Sequence, residues 1–554
     1  MARNRRESSP HRSSGWPLLA VLLAGVVVLG GVILWIGSSL SDDDDPETSY
    51  TEAVVGAPSR VNPLFAYANE VDRDLSALVF NGLTRIGPDG APQPDLAESW
   101  NVSADGRSVT FALRSGVKWH SGVAFTAEDV IFTYGLLRDP ELQGDPTQAA
   151  LWQSIDCAAR AELSVVCTLP EPYAPFLTYV SVGILPESVL SAATPESLLS
   201  DPFNRAPVGT GPYRLESLDE ERAVLVANEE FHLGRPGIDR VTLTFHRDFA
   251  SAAAEVIRGQ AGGLFSDLTI EPADYQTLRE VETLDRHVAG RSSSTILYFN
   301  NETPPLNDPQ VREAIAYALD VEAIITGLLG GRGQRADTPI VPGTWAYAPE
   351  ARMPLHDLGR ARDILDEALW PLPEGSAVRV KNNTELRFSL LTDEDPLRGA
   401  VAEAIAAQLA EAGIKATVVR EPSGDLVNDF LIPREYQAAV YGFDAGADTD
   451  PYPGWHSSQA ISGGRNIAGY RSDAADALLE EARRTNDMDG SREIYMEFQE
   501  LFVAEKPSIP LYVPLNTFFL DGVSNVDMGV LFTPSSRFQN VWEWTMDDEI
   551  TIGQ

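Results

Sequence analysis

Two cysteines, Cys157 and Cys167, are the whole thiol content of this 554-residue chain. So few thiols exclude a disulfide-built scaffold and a thiolate metal cluster. The seven histidines are dispersed singly, and none stands at metal-ligand spacing with a cysteine. Nucleophile elbows (G-x-S-x-G), H-E-x-x-H pairs and P-loops are missing. Gly209-Thr210-Gly211 lacks the third glycine and the lysine of a phosphate cradle, so it reads as a tight turn. No catalytic residue, metal or cofactor is expected, and the chain does not read as an enzyme. Positive charge is also scarce: 42 Lys+Arg against 81 Asp+Glu leave a formal charge of −39. That field disfavours nucleic acid and anionic lipid, and it keeps a soluble domain dispersed. After residue 36 there is no second long apolar run, low-complexity tract or internal repeat.

What is present begins at the N-terminus. Arg3, Arg5, Arg6 and Arg12 precede an apolar run over 16–36, and Asp42, Asp43, Asp44 and Asp45 follow it. A signal-peptide core is about 7–15 residues long and a spanning helix needs roughly 20. The run therefore reads as an uncleaved transmembrane anchor, although small residues at 37–39 leave cleavage open. Its basic side stays in the cytoplasm, so the rest of the chain is expected outside it. No cysteine follows the run to carry a lipid. In that compartment Cys157 and Cys167 are expected to form a disulfide across a hairpin, with 158–162 as its turn region and 163–166 as a strand. Such a loop contributes on the order of 2–3 kcal/mol in the chain-entropy model.

The remaining length exceeds one hydrophobic core, so two or more lobes are expected. Alternation predicts strands over 108–114, 241–246 and 295–299. Apolar spacing predicts one helix over 308–329, opened by Asn307-Asp308-Pro309. Further helices are expected over 396–412, ended by Gly413 before a strand at 414–419, and over 473–485 and 491–504. The plan is mixed α/β.

One loop, residues 442–455 (GFDAGADTDPYPGW), gathers Asp444, Asp448 and Asp450 among glycines, prolines and aromatics. The spacing does not fit an EF-hand. One reading is a set of solvated loop acids. The other is a ligand-facing loop whose carboxylates bind a cationic group while Phe443 or Trp455 covers an apolar side chain.

The order of short motifs resembles the family 5 extracellular solute-binding proteins of ABC importers, which include dipeptide, oligopeptide and nickel binders. The strings that carry it are LVFNGL (78–83), PDLAESW (94–100), FALRSGVKW (111–119), TAEDV (126–130), PVGTGPY (207–213) and NDPQVREAIAYALD (307–320), with Asn466, Gly469 and Tyr470 later. The resemblance implies an α/β, two-lobed periplasmic-binding-protein fold of the second type, with an extra inserted domain after the N-terminal helix. By that analogy 1–15 is a cytoplasmic tail, 16–37 the anchor and 38–49 an acidic linker. Lobe I comprises 50–76, 207–305 and 515–546, its inserted domain 77–206, and lobe II 306–514. Hinge strands are implied near 300–305 and 511–516.

The implied partners are a peptide or another small organic solute, with a chelated metal as the alternative, and the permease subunits of an ABC importer. The membrane is reached through the N-terminal helix, nucleic acid is not a partner, and a monomer is expected. A membrane-anchored solute sensor is the alternative. The family's amino-group aspartate falls on Asp448 if one residue is inserted before Asp450, and on Ala447 otherwise. Phe443 takes the place of a family tryptophan, and GQAGGLF (259–265) departs from the usual glycine–aspartate pair. The expected ligand-facing set is Asp448, Phe443, Asp444, Asp450, Trp455, Asn466 and Tyr67.

Overall fold

The computed structural model describes residues 47–547 apart from Thr269 and Ala447. The expected cytoplasmic tail, the anchor over 16–37 and the linker up to residue 46 lie outside the described residues. Among the described residues no helix is long and apolar enough to cross a membrane.

A twelve-stranded sheet runs through these residues. Its strands in chain order are β1 (Ser49–Val55), β2 (Tyr213–Leu218), β3 (Arg222–Ala227), β4 (Arg240–His246), β5 (Gly263–Ser266), β6 (Leu284–Gly290), β7 (Ser293–Phe299), β8 (Gly333–Arg335), β9 (Arg387–Thr392), β10 (Lys415–Arg420), β11 (Ala438–Asp444) and β12 (Ser508–Asp521). The spatial order is β10-β9-β11-β7-β12-β5-β1-β4-β3-β2, and β6 and β8 also pair with β12. β1 is parallel to β4 and β5, and β9 is parallel to β10 and β11.

β12 joins the two halves. Its first residues pair with β7, with Tyr298 opposite Ser508, while 515–521 pair with β6 from Gly290 back to Leu284. Burial is continuous along β12 up to its last residue, Asp521, except at Pro514 and Leu515, where the partner changes. A strand covered on both faces reads as a run of apolar residues, as LYV and FFL do here. β7, which the sequence analysis put in lobe I, is bonded to β11 along its whole length. Its Leu297 and Phe299 join the apolar cluster that includes Leu390, Ile405 and Val440.

Helices form where sequence signals meet packing. Helix α1 (Glu70–Val79) is capped by Asn69, whose side chain accepts from the amides of Val71 and Asp72. The helix expected over 308–329 is two, α2 (Pro309–Ala318) and α3 (Val321–Leu328). Asp320 breaks the run. Its carboxylate caps Ala323, and Gln408 takes over its main-chain amide and carbonyl. Helix α4 (Pro396–Glu411) starts on the Asp395 cap and stops at Gly413, whose φ of +81° suits glycine. Helices α5 (Asp473–Arg484) and α6 (Met488–Glu505), consecutive in sequence, pack against each other, and α6 starts earlier than its apolar pattern implied.

A separate four-stranded sheet orders 97–102, 108–113, 164–168 and 156–161 side by side. It packs with Trp119, Trp152 and Phe176 into a core of its own. The turn expected over 158–162 is shorter: Ala158 to Ala161 belong to a strand, which places Cys157 opposite Cys167, where they are disulfide-bonded. Gly209-Thr210-Gly211 is a close-approach turn. A Cβ on Gly209 would stand 1.8 Å from the Val79 carbonyl oxygen at the end of α1. The buried Arg537 donates to Asp74 at 2.8 and 2.6 Å and to Glu52 at 2.8 Å, tying the C-terminal segment to α1 and β1. Fully desolvated charges need such complete pairing.

Candidate functional site

A cavity of about 680 Å³ is lined by Leu64, Tyr67, Arg73, Trp152 and Tyr179. Arg291, Asp444, Gly446, Asp448 and Arg465 complete its wall. The wall therefore draws on segments far apart in sequence, as a ligand cleft between structural halves does. Its charged residues are Glu70, Asp139, Asp145, Asp444 and Asp448 against Arg73, Arg291 and Arg465. Arg73 is bonded to Glu70 at 2.7 Å and Arg291 to Asp444 at 3.2 Å. The surplus is negative, which favours a cationic group in the ligand.

Asp448 is the acid best placed to receive one. It is half-buried and lies between the main cavity and a smaller hollow of about 70 Å³ lined by Phe176, Trp345 and Tyr495. The hydroxyls of Tyr173 and Tyr179 donate to its Oδ2 at 3.4 and 3.2 Å, and the Asp450 amide donates to Oδ1 at 2.9 Å. All three donors are neutral. Burial first, and the neighbouring Asp450 charge second, push the Asp448 carboxyl up to about 7. Burial also raises both phenols, so they remain protonated donors.

Asp450 differs although it is two residues away. Its side chain is 1% exposed and accepts from Arg483 Nε at 2.6 Å and from the Tyr452 amide at 3.0 Å. The Arg483 guanidinium lies 3.6 Å from the Tyr452 ring centre, so α5 supplies a cation already held on two sides.

The structure brings Asp448, Asp444 and Tyr67 to the cavity wall and leaves the other expected residues behind it. Trp455 is 2% exposed and stacks on Tyr298 with ring centres 6.1 Å apart. Phe443 packs against the same apolar cluster. Asn466 is fully buried, donating to the carbonyls of His456 and Tyr470 and accepting from the Tyr470 amide. Sequence reasoning missed Tyr173, Tyr179, Arg291, Arg465 and Arg483. None sits in a motif that marks it, and only the fold brings them to the 442–455 loop.

No nucleophile–base pair faces this cavity among the described residues, and its acid-lined wall is that of a solute receptor. The chain belongs to the bacterial extracellular solute-binding proteins, family 5, whose middle region matches residues 91–465. It is a receptor and not an enzyme, and its solute-binding domain is extracytoplasmic. It is similar to the oligopeptide-binding protein AppA of Bacillus subtilis, 26% identical over 499 residues that cover 88% of this chain and 90% of the relative. The solved structure of Bacillus subtilis AppA in complex with a nonapeptide is 25% identical, with a TM-score of 0.64 over 91% of this chain and 100% of that one. NikZ from Campylobacter jejuni in complex with Ni(L-His) is 26% identical, with a TM-score of 0.65 over 90% and 100%. The fold is thus the α/β periplasmic-binding-protein fold of this family.

Proposed function

We propose that this protein captures a peptide with a free amino terminus in the cleft and delivers it to the permease of an ABC importer. The observation that carries the reading is Asp448: a half-buried carboxylate on the cavity wall whose bonded donors are all neutral. An ammonium group supplies the missing charge through charge-assisted hydrogen bonds. Asp444 and Tyr67, on the same wall, are the further ligand contacts. The volume suits a short peptide, and the oligopeptide-binding relative supports the same class. A chelated metal would bring its own ligands, because no three His, Cys, Asp or Glu side chains gather among the described residues.

Closure of two lobes, 50–76 with 207–305 and 515–546 against 306–514, would turn binding into a surface the permease reads. The change of partners along β12 supports a hinge there. Tethering by the apolar run over 16–36 is supported by the arginines before it and the aspartates after it.

The test is thermal unfolding of the full-length chain in mild detergent, refolded to strip carried-over ligand and titrated with di- to pentapeptides, sugars and nickel chelates. Ligand at 100 times its Kd stabilises by about 2.7 kcal/mol, roughly 2–3 °C for a domain of this size. A rise with peptides that disappears in Asp448→Ala is the expected result. A response only to another solute overturns the peptide reading, and a peptide response that survives Asp448→Ala removes the anchor.

A further inference from the structure

A second chamber of about 370 Å³ opens from the cleft and shares with it Tyr67, Arg73, Ser181, Val182, Phe532 and Thr533. Phe80, Phe538 and Trp542 supply apolar surface to it. Its uncommitted polar groups are few. The Ser76 hydroxyl is buried without a partner. Arg85 is half-buried, and its Nε is likewise buried without a partner. Among the described residues the Arg85 guanidinium has no hydrogen bond or ion pair; it rests against the Trp542 ring, 5.4 Å from its centre.

The acids whose charge reaches Arg85 are Asp95 and Glu543. Each is engaged elsewhere: Asp95 with His232 at 2.6 Å and Asn81 at 2.9 Å, Glu543 with the Asn540 amide at 3.2 Å. The other cation of the chamber, Arg73, is bonded to Glu70 and to the Tyr67 carbonyl. A half-buried guanidinium whose Nε is shut off from water without a partner leaves a donor unsatisfied until an acceptor meets it, and an anion meets it best. The buried hydroxyl of Ser76 is a second donor in the same chamber.

We propose that this chamber is a second subsite that receives a carboxylate of the cleft ligand, with Arg85 as its charge partner. The proposal rests on the peptide reading and deepens it: the ligand is zwitterionic, its ammonium at Asp448 and its carboxylate at Arg85. The carboxylate is either the peptide's C-terminus or an acidic side chain, and both present the same oxygens to the guanidinium fork.

The experiment is calorimetric titration of the ligand-stripped full-length chain and its Arg85→Gln variant with matched tetrapeptides. The set is a neutral free acid, its C-terminal amide, and an amide that carries one glutamate. A charge-assisted pair at this depth is expected to favour the free acid over the amide by about tenfold or more, and Arg85→Gln is expected to erase that preference while leaving the amide's affinity unchanged. A preference confined to the glutamate-bearing amide and lost in Arg85→Gln supports the subsite and assigns the carboxylate to a side chain. Equal binding of all three by the native chain overturns the subsite and leaves the peptide reading standing. No binding of any peptide overturns both. Should Arg85→Gln melt early, Ser76→Ala, which removes only a hydroxyl, is expected to narrow the acid-to-amide ratio; an unchanged ratio there counts against the subsite.

Discussion

The Nε of Arg483 lies 2.6 Å from Oδ2 of Asp450, and this one pairing divides the labour of a loop that carries two acids. Asp450 has its cation and a buried, structural place. Asp448 keeps neutral partners and faces the cleft.

The raised Asp448 carboxyl makes binding pH-dependent with a definite sign. Below about 7 the free protein holds a proton there, which an incoming ammonium must displace. Affinity for a peptide with a free amino terminus is therefore expected to fall by up to about tenfold per pH unit below that point, and to level off above it. Stability of the unliganded chain runs the other way. The folded carboxyl titrates above its unfolded value near 3.9, so the folded state binds more protons between the two values and loses stability as pH rises through that window. Discounted for partial exposure, the cost above pH 7 is about 1–2 kcal/mol, and Asp448→Asn is expected to melt about 1–2 °C higher than the native chain at pH 8 but not at pH 4. Melting curves at both pH values check it. A lower melting temperature for the variant at pH 8 would show that the carboxylate stabilises the empty cleft.

Tyr179 supplies the shorter of the two phenolic hydrogen bonds to Asp448, at 3.2 Å. Those bonds favour the charged carboxylate that an ammonium needs. Tyr179→Phe removes one, which should weaken peptide binding by about three- to tenfold. It should also move the midpoint of the pH profile upward, a change that a loss of packing alone would not produce. Titration calorimetry between pH 6 and 8 measures both.

Much of the scaffold was legible because its signals are local. Asp395-Pro396 before an apolar stripe and Gly413 after it mark α4, and alternation marks 108–113 and 240–246 as strands. The break at Asp320 was not legible, since half of its cause is Gln408, 88 residues away. The same limit governs the site. Composition drew attention to the 442–455 loop, but nothing within it separates Asp448 from Asp450. The difference comes from Arg483 on α5 and from two tyrosines about 270 residues upstream. Trp455 and Asn466 read as contacts because they are polar or aromatic and near the loop. The burial of Trp455 follows from Tyr298, which no spacing in the sequence ties to it, and that of Asn466 from the local turn it closes with Tyr470 and His456.

Asn466 offers a contrast to Asp448 that separates packing from recognition. Its amide satisfies two carbonyls and one main-chain amide with no access to solvent. Asn466→Ala strands those groups, and a loss of about 2–4 kcal/mol in stability is expected, seen as an earlier denaturant midpoint with an unchanged slope. The fraction that folds should bind peptide with native affinity. A variant that folds normally and loses affinity would move Asn466 back among the ligand contacts.

The disulfide tests how independent the four-stranded sheet is. Cys157 and Cys167 close a loop at a sequence separation of 10 across two paired strands. The chain-entropy model assigns such a loop about 2–3 kcal/mol. The hairpin register already holds the ends together, so the double variant Cys157→Ser, Cys167→Ser should fall at or below the lower figure. If the small sheet unfolds with the whole, that loss is about 2–3 °C in a domain of this size. If the sheet opens on its own, a separate early transition appears in calorimetry and hydrogen exchange rises first at Val165 and Val166. In either case the affinity for peptide should stay within about twofold. Tyr173 and Tyr179 are carried beyond this sheet's last strand and are held against Asp448 by contacts that the disulfide does not touch.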